Sequence, residues 1–425
     1  MRKIFILSLF TTISLFASAQ KGVVKDATRA FKSDDLNEAR ALVKQALQHD
    51  ETANDPETWK LAGDIGDKTF DNERIKEGLG QNANHQVMYN GLMESYEPYL
   101  KADSLAQIPD SKGRVKNNVR KDIADKLFAN QHFFINGGIF FNEKKEYSKA
   151  SKYFETFWDI PQLDVVEDIR NNFPIDSTYQ TIKYYAIITA IQAEDNKKAL
   201  ELLEHATNEP FIENSAYEES DLYELLATQY QQSGDTASYM EILTVGSAKY
   251  PKSKYFIPNL INIYIQNGEN EKALEYLDQA IANDSTNACD LNSVKAALFV
   301  EQGEFDKAEV EFKKALEADE NCNRALEGLA LNYILQAQEL KDKSAQEMND
   351  RKLQAKYDEQ TIVFYQLSLP HLEKYTENIT ADGANEQAIK SALIKLQNVY
   401  YNLSNLGIDK SKELDLVEEQ LSAYE

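Results

Sequence analysis

The chain has 425 residues, of which 42% are hydrophobic and 10% aromatic, and it carries 70 Asp and Glu against 46 Lys and Arg. This apolar content excludes a disordered chain, and the formal net charge of −24 repels phosphate backbones and anionic membrane surfaces. Nucleic-acid binding is therefore not expected.

The first 19 residues have the pattern of a secretory signal peptide. Arg2 and Lys3 precede a largely apolar run at 4–16, and Ala17-Ser18-Ala19 is a small-residue cleavage site. We expect an exported chain that begins at Gln20 and resides in the periplasm or cell envelope. The residue directly after the cleavage point is Gln20 and not a cysteine, which argues against a lipid anchor. No later stretch reaches the roughly 18 apolar residues of a membrane helix, so no transmembrane segment is expected in the mature chain.

Helical periodicity begins soon after the signal peptide. LNEARALVKQAL (36–47) and DPETWKLAG (55–63) match the second helix of one hairpin and the first helix of the next. From 69 to 131 the pattern lapses, and we predict an irregular helical insertion there. It resumes in FINGGIFFNEKKEYSKASKYFETF (134–157) and AIITAIQAEDNKKALELLEHA (186–206).

The clearest signal is a repeat in the second half of the chain. The stretches YIQNGENEKALEYLDQAIAND and FVEQGEFDKAEVEFKKALEAD lie 35 residues apart, and equivalent first-helix positions fall at Ala227, Ile261, Ala296 and Ala330. A polar insertion at 338–360 is predicted to lengthen both helices of one unit into an extended hairpin at 336–366. Residues 384–422 are predicted to form capping helices.

These repeats resemble the tetratricopeptide repeat (TPR) family, which has a 34-residue period and the pattern W-x2-L-G-x2-Y…A-x3-F…P. Trp59, Gly63, Tyr230 and Pro251 occupy matching positions. The resemblance implies an all-α fold, a right-handed superhelical solenoid of stacked helix-turn-helix hairpins. We expect a single solenoid over 20–425 with about eight units.

Catalytic and metal-binding motifs are not found in the sequence. The five histidines lack H-E-x-x-H spacing, and GDIGDKT (63–69) lacks the spacing and the strand of a phosphate-binding loop. The acidic residues Glu218, Glu219 and Asp221 lack the D-x-D-x-D-G pattern of a calcium loop. No catalytic residue, cofactor or metal is therefore predicted.

The two cysteines have a structural interpretation with two alternatives. Cys289 and Cys322 are 33 residues apart, almost one period, so both fall in turns that precede first helices. Export permits oxidation. Packed helices are about 8–10 Å apart, whereas a disulfide needs Cα atoms within roughly 7 Å, a gap that turns are able to close. A disulfide and two free buried thiols both remain open.

The TPR resemblance also implies a binding surface, a concave groove lined by the first helix of each hairpin. Nine residues are expected to line this groove: Tyr184, Ile188, Glu224, Thr228, Gln231, Asn262, Gln266, Ala297 and Glu301. Only Asn262 occupies a position where some family members hold a peptide carboxylate, and the set has no basic residue. A neutral or basic polypeptide is the better electrostatic match. The alternative is a merely solvated inner surface.

The favoured function is a non-catalytic protein-protein interaction scaffold in the bacterial cell envelope, which binds through the groove or the 338–360 extension. The alternative is a glycan-binding or nutrient-uptake accessory protein, since some surface starch-binding proteins also use these repeats. Those proteins are usually lipid-anchored and Trp-rich, whereas this chain has only Trp59 and Trp158. An enzyme would be marked by a buried, hydrogen-bonded histidine and carboxylate in a pocket. No oligomeric state is predicted.

Overall fold

The computed structural model describes residues 21–283, 287–347 and 349–424, and every regular element among them is helical. The predicted signal peptide at 1–19 lies outside the described residues. The chain divides into two compact units, unit 1 at 1–235 and unit 2 at 236–425. Helices joined by short turns recur in both units. The prediction of an all-α fold built from repeated helix-turn-helix hairpins is confirmed.

Unit 1 contains the helices that carry the first half of the predicted repeat. Two short 3₁₀ helices, Ile160–Gln162 and Asp164–Asn172, separate the seventh helix from the eighth. The α-helices among the described residues are α1 (21–32), α2 (Leu36–Ala46), α3 (Asp50–Ala53), α4 (Pro56–Gly78), α5 (His85–Ala106), α6 (Arg120–Glu143), α7 (Tyr147–Asp159), α8 (Ser177–Gln192), α9 (Asn196–Asn208) and α10 (Glu219–Ser233).

Short polar side chains start several of these helices. The carboxylates of Asp35 and Asp176 and the amide oxygen of Asn84 each accept a hydrogen bond from the backbone amide three residues later, at 3.0, 3.2 and 3.1 Å respectively. Such N-caps satisfy one of the amides that the first helical turn leaves unpaired. The helix starts of α2, α5 and α8 are therefore encoded locally.

The region predicted as an irregular insertion consists of lengthened helices and a non-helical connection at 107–119. Helices α4, α5 and α6 have 23, 22 and 24 residues, compared with 13 in α7 and α9. Helix α4 continues past Thr69 to Gly78, and α6 runs through Gln131 into the repeat that contains Gly138. The long helices shift the repeat register, which is why the sequence pattern lapses here.

Unit 2 contains the regular repeats and the C-terminal helices. Its α-helices among the described residues are α11 (Thr236–Lys249), α12 (Phe256–Gln266), α13 (Asn270–Asn283), α14 (Ala288–Glu301), α15 (Phe305–Ala318), α16 (Asn323–Gln346), α17 (Arg351–Ala381), α18 (Glu386–Asn405) and α19 (Ser411–Ser422).

Equivalent glycines make the turns within two of these hairpins. Gly268 and Gly303 have φ values of 72° and 73°, a left-handed conformation that glycine adopts without a Cβ penalty. The amide after each glycine donates to the carbonyl five residues upstream, at 2.8 and 2.9 Å. These turns close α12 and α14 in the same way, as the 35-residue repeat predicts.

The polar insertion near residue 350 lies within two long helices. Helices α16 and α17 have 24 and 31 residues. Ser344 of α16 donates to Asp358 of α17 at 2.6 Å, and Lys341 donates to Asn402 of α18 at 2.7 Å. In the described part of the chain, no helix, these two included, has the apolar length needed to cross a membrane.

The two cysteines lie at the starts of two first helices in unit 2. Cys289 is in the first turn of α14, and Cys322 directly precedes α16. In the structure a disulfide joins them, with Sγ atoms 1.99 Å apart and Cα atoms 5.9 Å apart. Cys322 is buried, and the bond ties the start of one repeat to the start of the next.

Candidate functional site

Five of the predicted groove residues lie on two first helices of unit 1. Tyr184 and Ile188 are four residues apart on α8, and both are partly buried. Glu224 and Thr228 have the same spacing on α10 and are also partly buried, whereas Gln231 is exposed. Residues i and i+4 share one face of a helix. Each helix therefore presents one continuous surface with polar and apolar parts.

Tyr184 stacks on Tyr217, which belongs to the loop between α9 and α10. The ring centroids are 4.3 Å apart and the ring planes differ by 16°. Tyr217 is held in place because its hydroxyl donates to the carbonyl oxygen of Gln180 at 3.1 Å, and Phe211 packs edge-on at 5.5 Å. One face of the Tyr184 ring is thus covered by the chain itself, so this residue also contributes to packing.

The aromatic pair lies in a negative electrostatic environment. Burial raises the pKa of Tyr184 above its usual value, and the carboxylate of Asp221 at the start of α10 raises it further. Burial is also the main cause that raises the pKa of Tyr217 to about 12, and Asp221 adds to it. Both hydroxyls are protonated at neutral pH. The neighbouring carboxylate favours a neutral or cationic group over an anion.

The other four predicted groove residues lie on first helices of unit 2. Asn262 and Gln266 on α12 are exposed, as are Ala297 and Glu301 on α14. Each pair has a spacing of four residues and therefore shares a helix face. The opposite side of α12 is apolar and buried. This surface offers two amides, a small side chain and one carboxylate.

The sequence prediction missed the loop that covers Tyr184. Tyr217 and Phe211 come from the 209–218 segment, where two aromatic residues in a connection between helices were the available signal. The acidic residues that follow have a capping role, because the backbone amide of Glu218 donates to the Asp221 carboxylate at 2.8 Å. Among the described residues, no group of side chains could hold a metal ion.

An ion pair between a buried lysine and a partly buried glutamate lies between α8 and the end of α9. Lys183 is only 2% exposed and donates to the carboxylate of Glu209. The same carboxylate accepts a hydrogen bond from the indole of Trp158 at 3.2 Å and lies 3.0 Å from the imidazole of His205, which stacks on Trp158. A histidine–carboxylate pair is therefore present, but Glu209 is already held by other donors. The arrangement joins helices.

A second polar network joins α4, α5 and α6. Asp64 accepts hydrogen bonds from Lys60 at 2.8 Å, Tyr99 at 3.0 Å and Lys126 at 2.5 Å, and Lys60 also pairs with Asp122 at 2.7 Å. Burial is the main cause that raises the pKa of Tyr99, so its hydroxyl remains a donor. Each charge has a partner of opposite sign, as partly buried charges require. This network also fixes helix packing.

Several clefts in the described part of the chain lie away from the predicted groove residues, and three of them differ in character. One of about 980 Å³ between α2, α4 and α5 contains the ion pair of Arg40 and Glu94, with contacts of 2.6 and 2.9 Å. One of about 410 Å³ in unit 1 contains the pair of Lys198 and Glu155 at 3.2 Å. The third, of about 630 Å³ in unit 2, lies between α17, α18 and α19 and is mainly apolar. None of the nine predicted residues lines these three clefts.

No protein-family model and no curated protein matches the chain. Solved structures that match this chain at low identity include TPR proteins. The C-terminal part of a TPR repeat-containing protein from Cytophaga hutchinsonii is 15% identical, covers 66% of this chain and 98% of its own, and has a TM-score of 0.35. YrrB, described as a TPR protein with an unusual peptide-binding site, is 15% identical, covers 49% of this chain and 96% of its own, with a TM-score of 0.31. A MamA structure is 17% identical, covers 47% and 94%, and has a TM-score of 0.30. TPR proteins are thus among the structural neighbours of this chain.

Proposed function

We propose that the chain is a non-catalytic protein-protein interaction scaffold of the bacterial cell envelope, which binds polypeptides through the first-helix faces of its hairpins. The observation that carries this proposal is the row of exposed side chains on α12 and α14. Helix α12 buries an apolar side and α14 buries a mixed one, and the two helices leave Asn262, Gln266, Ala297 and Glu301 exposed at helical spacing. Amides and a carboxylate on a rigid helix suit hydrogen bonding to a peptide backbone.

The charge of this surface supports a neutral or basic partner. The nine predicted residues include Glu224 and Glu301 and no lysine or arginine, and Asp221 lies near Tyr184 in unit 1. An acidic partner would face like charges on a chain that already carries a net charge of −24. We therefore expect polypeptides that are neutral or rich in lysine and arginine.

The experiment is a pull-down from envelope extract, followed by calorimetry with each captured polypeptide in purified form. The test variant is Asn262→Ala with Gln266→Ala, two exposed residues on α12. The matched control is Gln279→Ala with Asn283→Ala, which changes the same two residue types at the same spacing on the second helix α13, where both are exposed. Tyr184 is avoided because its stack with Tyr217 would confound binding with stability.

The proposal requires at least about tenfold weaker binding by the α12 variant and unchanged binding by the α13 control, equivalent to a loss of about 1.4 kcal/mol. Equal binding by both variants would show that the binding site does not lie on the exposed face of α12. Recovery of glycans without a polypeptide would instead favour the glycan-binding alternative. The location is tested separately by cell fractionation and N-terminal sequencing, with a mature chain that starts at Gln20 as the expected result.

A further inference from the structure

The third cleft is a groove formed by the last three helices of unit 2. Helix α18 forms its floor, and α17 and α19 form its two walls. The cavity between them has a volume of about 630 Å³. It lies apart from the predicted first-helix surface, and we call it the C-terminal groove.

The floor of the C-terminal groove carries apolar side chains at the spacing of a helix-packing seam. Ile389, Leu393, Leu396 and Tyr400 of α18 line the cavity, at successive intervals of four, three and four residues. Apolar residues that alternate between intervals of three and four are the pattern by which one helix packs along another. These four residues already belong to the apolar core of unit 2 and are only 3–7% exposed, so a helical occupant between α17 and α19 would contact the narrow apolar strip that they leave open to the cavity.

The apolar lining distinguishes this groove from the first two clefts described above, which lie in unit 1. Those two clefts contain ion pairs between their own helices, Arg40 with Glu94 and Lys198 with Glu155. In the C-terminal groove, Leu416 of α19 lines the cavity and is 55% exposed. An exposed leucine over an apolar floor gains free energy when a partner covers it.

The rim of the C-terminal groove is negatively charged. Glu373 and Glu377 line it from α17, and Glu413 lines it from α19. The described residues that line the cavity include no lysine or arginine. Glu413 is already paired with Lys410 at 2.6 Å, and Glu373 accepts a hydrogen bond from Tyr400 at 2.6 Å. Glu373 and Glu377 are exposed, so a cation on an occupant is able to reach their carboxylates. A second copy of the chain, with its net charge of −24, is a poor electrostatic match for this rim.

We propose that the C-terminal groove docks an amphipathic helix of a partner protein, with an apolar stripe that packs on α18 and flanking lysines or arginines that face the glutamates of the rim. This inference rests on the proposed function as a protein-binding scaffold, but it uses a different surface. Helix-in-groove binding of this kind obtains affinity from the apolar stripe and orientation from the charges.

The experiment uses the full chain and a displayed library of peptides of about 18 residues, roughly five helical turns, with leucines at alternating intervals of three and four and random flanking positions. Peptides are selected on the wild-type chain and counter-selected on Leu416→Glu. Affinities of selected peptides are then measured by fluorescence anisotropy. The expected peptides carry net positive charge and bind Leu416→Glu and Glu377→Lys at least about tenfold more weakly, a loss of about 1.4 kcal/mol each.

Two matched controls on α17 separate the groove from general surface effects. Val363→Glu changes an apolar residue that is 48% exposed outside the groove, and Glu359→Lys reverses an exposed charge outside it. Both are expected to bind like the wild type. Selected peptides that are neutral or acidic would overturn the proposed partner chemistry, and failure to recover any peptide that discriminates against Leu416→Glu would overturn the docking site.

A self-association experiment tests the other candidate occupant of the groove, a second copy of the chain. Sedimentation is measured over a range of concentrations for the wild type and for Leu416→Glu. We expect no wild-type dimer that is lost in Leu416→Glu. A dimer of that kind would assign the groove to a second copy. The Asn262 and Gln266 double variant is expected to bind the selected peptides normally. Failure of the C-terminal groove and failure of the first-helix surface are therefore distinguishable.

Discussion

Gly66 of α4 and Gly91 of α5 meet with their backbones in direct contact. A Cβ atom on Gly66 would lie 2.8 Å from the carbonyl oxygen of Gly91, and a Cβ atom on Gly91 would lie 2.9 Å from the carbonyl oxygen of Gly66. Neither backbone atom is able to move aside as a flexible side chain would. The two long helices therefore cross at a distance that only glycine permits at both positions.

The first prediction is that Gly66→Ala lowers the free energy of unfolding by about 2 kcal/mol, because overpacking against backbone exceeds the gain of up to about 1 kcal/mol in helix propensity. Urea unfolding followed by circular dichroism measures the change. The control is Gly78→Ala in the same helix, where a Cβ would have no atom within 4 Å. The control is expected to be neutral or slightly stabilising, and an equal loss in both variants would contradict the close crossing.

The second prediction concerns the buried lysine of α8. Lys183→Met is expected to lower the free energy of unfolding by about 3 kcal/mol, because it leaves the Glu209 carboxylate partly buried without its cation. The exposed pair of Lys197 and Glu201, 3.9 Å apart with a lysine side chain that is 89% exposed, supplies the control. Lys197→Met should change stability by less than about 0.5 kcal/mol. Similar losses from both substitutions would show that Lys183 has no special role.

The third prediction is the pH dependence of this pair. Burial alone raises the pKa of Glu209, but the hydrogen bond and charge of Lys183 outweigh it, so that pKa lies below its ordinary value. A depressed carboxyl pKa stabilises the fold above the ordinary pKa of about 4.3, and that stabilisation is lost as the pH falls through the folded value. Glu209→Gln should therefore be less stable than the wild type at neutral pH, with a deficit that shrinks in acid. A deficit independent of pH would contradict this.

The fourth prediction is a pH dependence of stability at Asp159, with a sign opposite to that at Glu209. Burial raises the pKa of Asp159 to about 7, and Glu155 adds to the shift while Lys198 opposes it. The folded chain then holds this proton more tightly than the unfolded chain does, so the free energy of unfolding falls as the pH rises from about 4 to 7. Asp159→Asn should be more stable than the wild type by about 1–3 kcal/mol at pH near 8, and equally stable near pH 4. The exposed Asp168→Asn serves as a control and should show no such trend.

The repeats were predictable because their signals are local and periodic. Gly268 and Gly303 mark their turns one period apart, and the structure places both in the left-handed conformation. The structure of the region at 69–131 was harder to predict because α4, α5 and α6 are each longer than a standard repeat helix. Longer helices keep the period of 3.6 residues but break the spacing between units, on which the family pattern depends.

The surroundings of the predicted groove residues depend on contacts that have no period. Tyr184 is covered by Tyr217, 33 residues later in a loop, and no spacing rule connects a helix position to such a loop. The burial of Lys183 was equally difficult to predict, since a charged residue in a helical pattern is ordinarily exposed. Its burial is evident only from the structure, in which Glu209 at the end of the next helix pairs with it. Assignment of the groove residues from the repeat register stays a prediction.

The last prediction concerns the bond between Cys289 and Cys322. The bond closes a loop across one repeat, at a sequence separation of 33 residues. Closing a loop of that length in the unfolded chain is worth about 3–4 kcal/mol in the chain-entropy description. The variant Cys289→Ser with Cys322→Ser should lose that much free energy of unfolding, and a reducing agent should produce the same loss in the wild type. The same agent should have no effect on the double variant, and titration of two free thiols in the untreated wild type would contradict the bond.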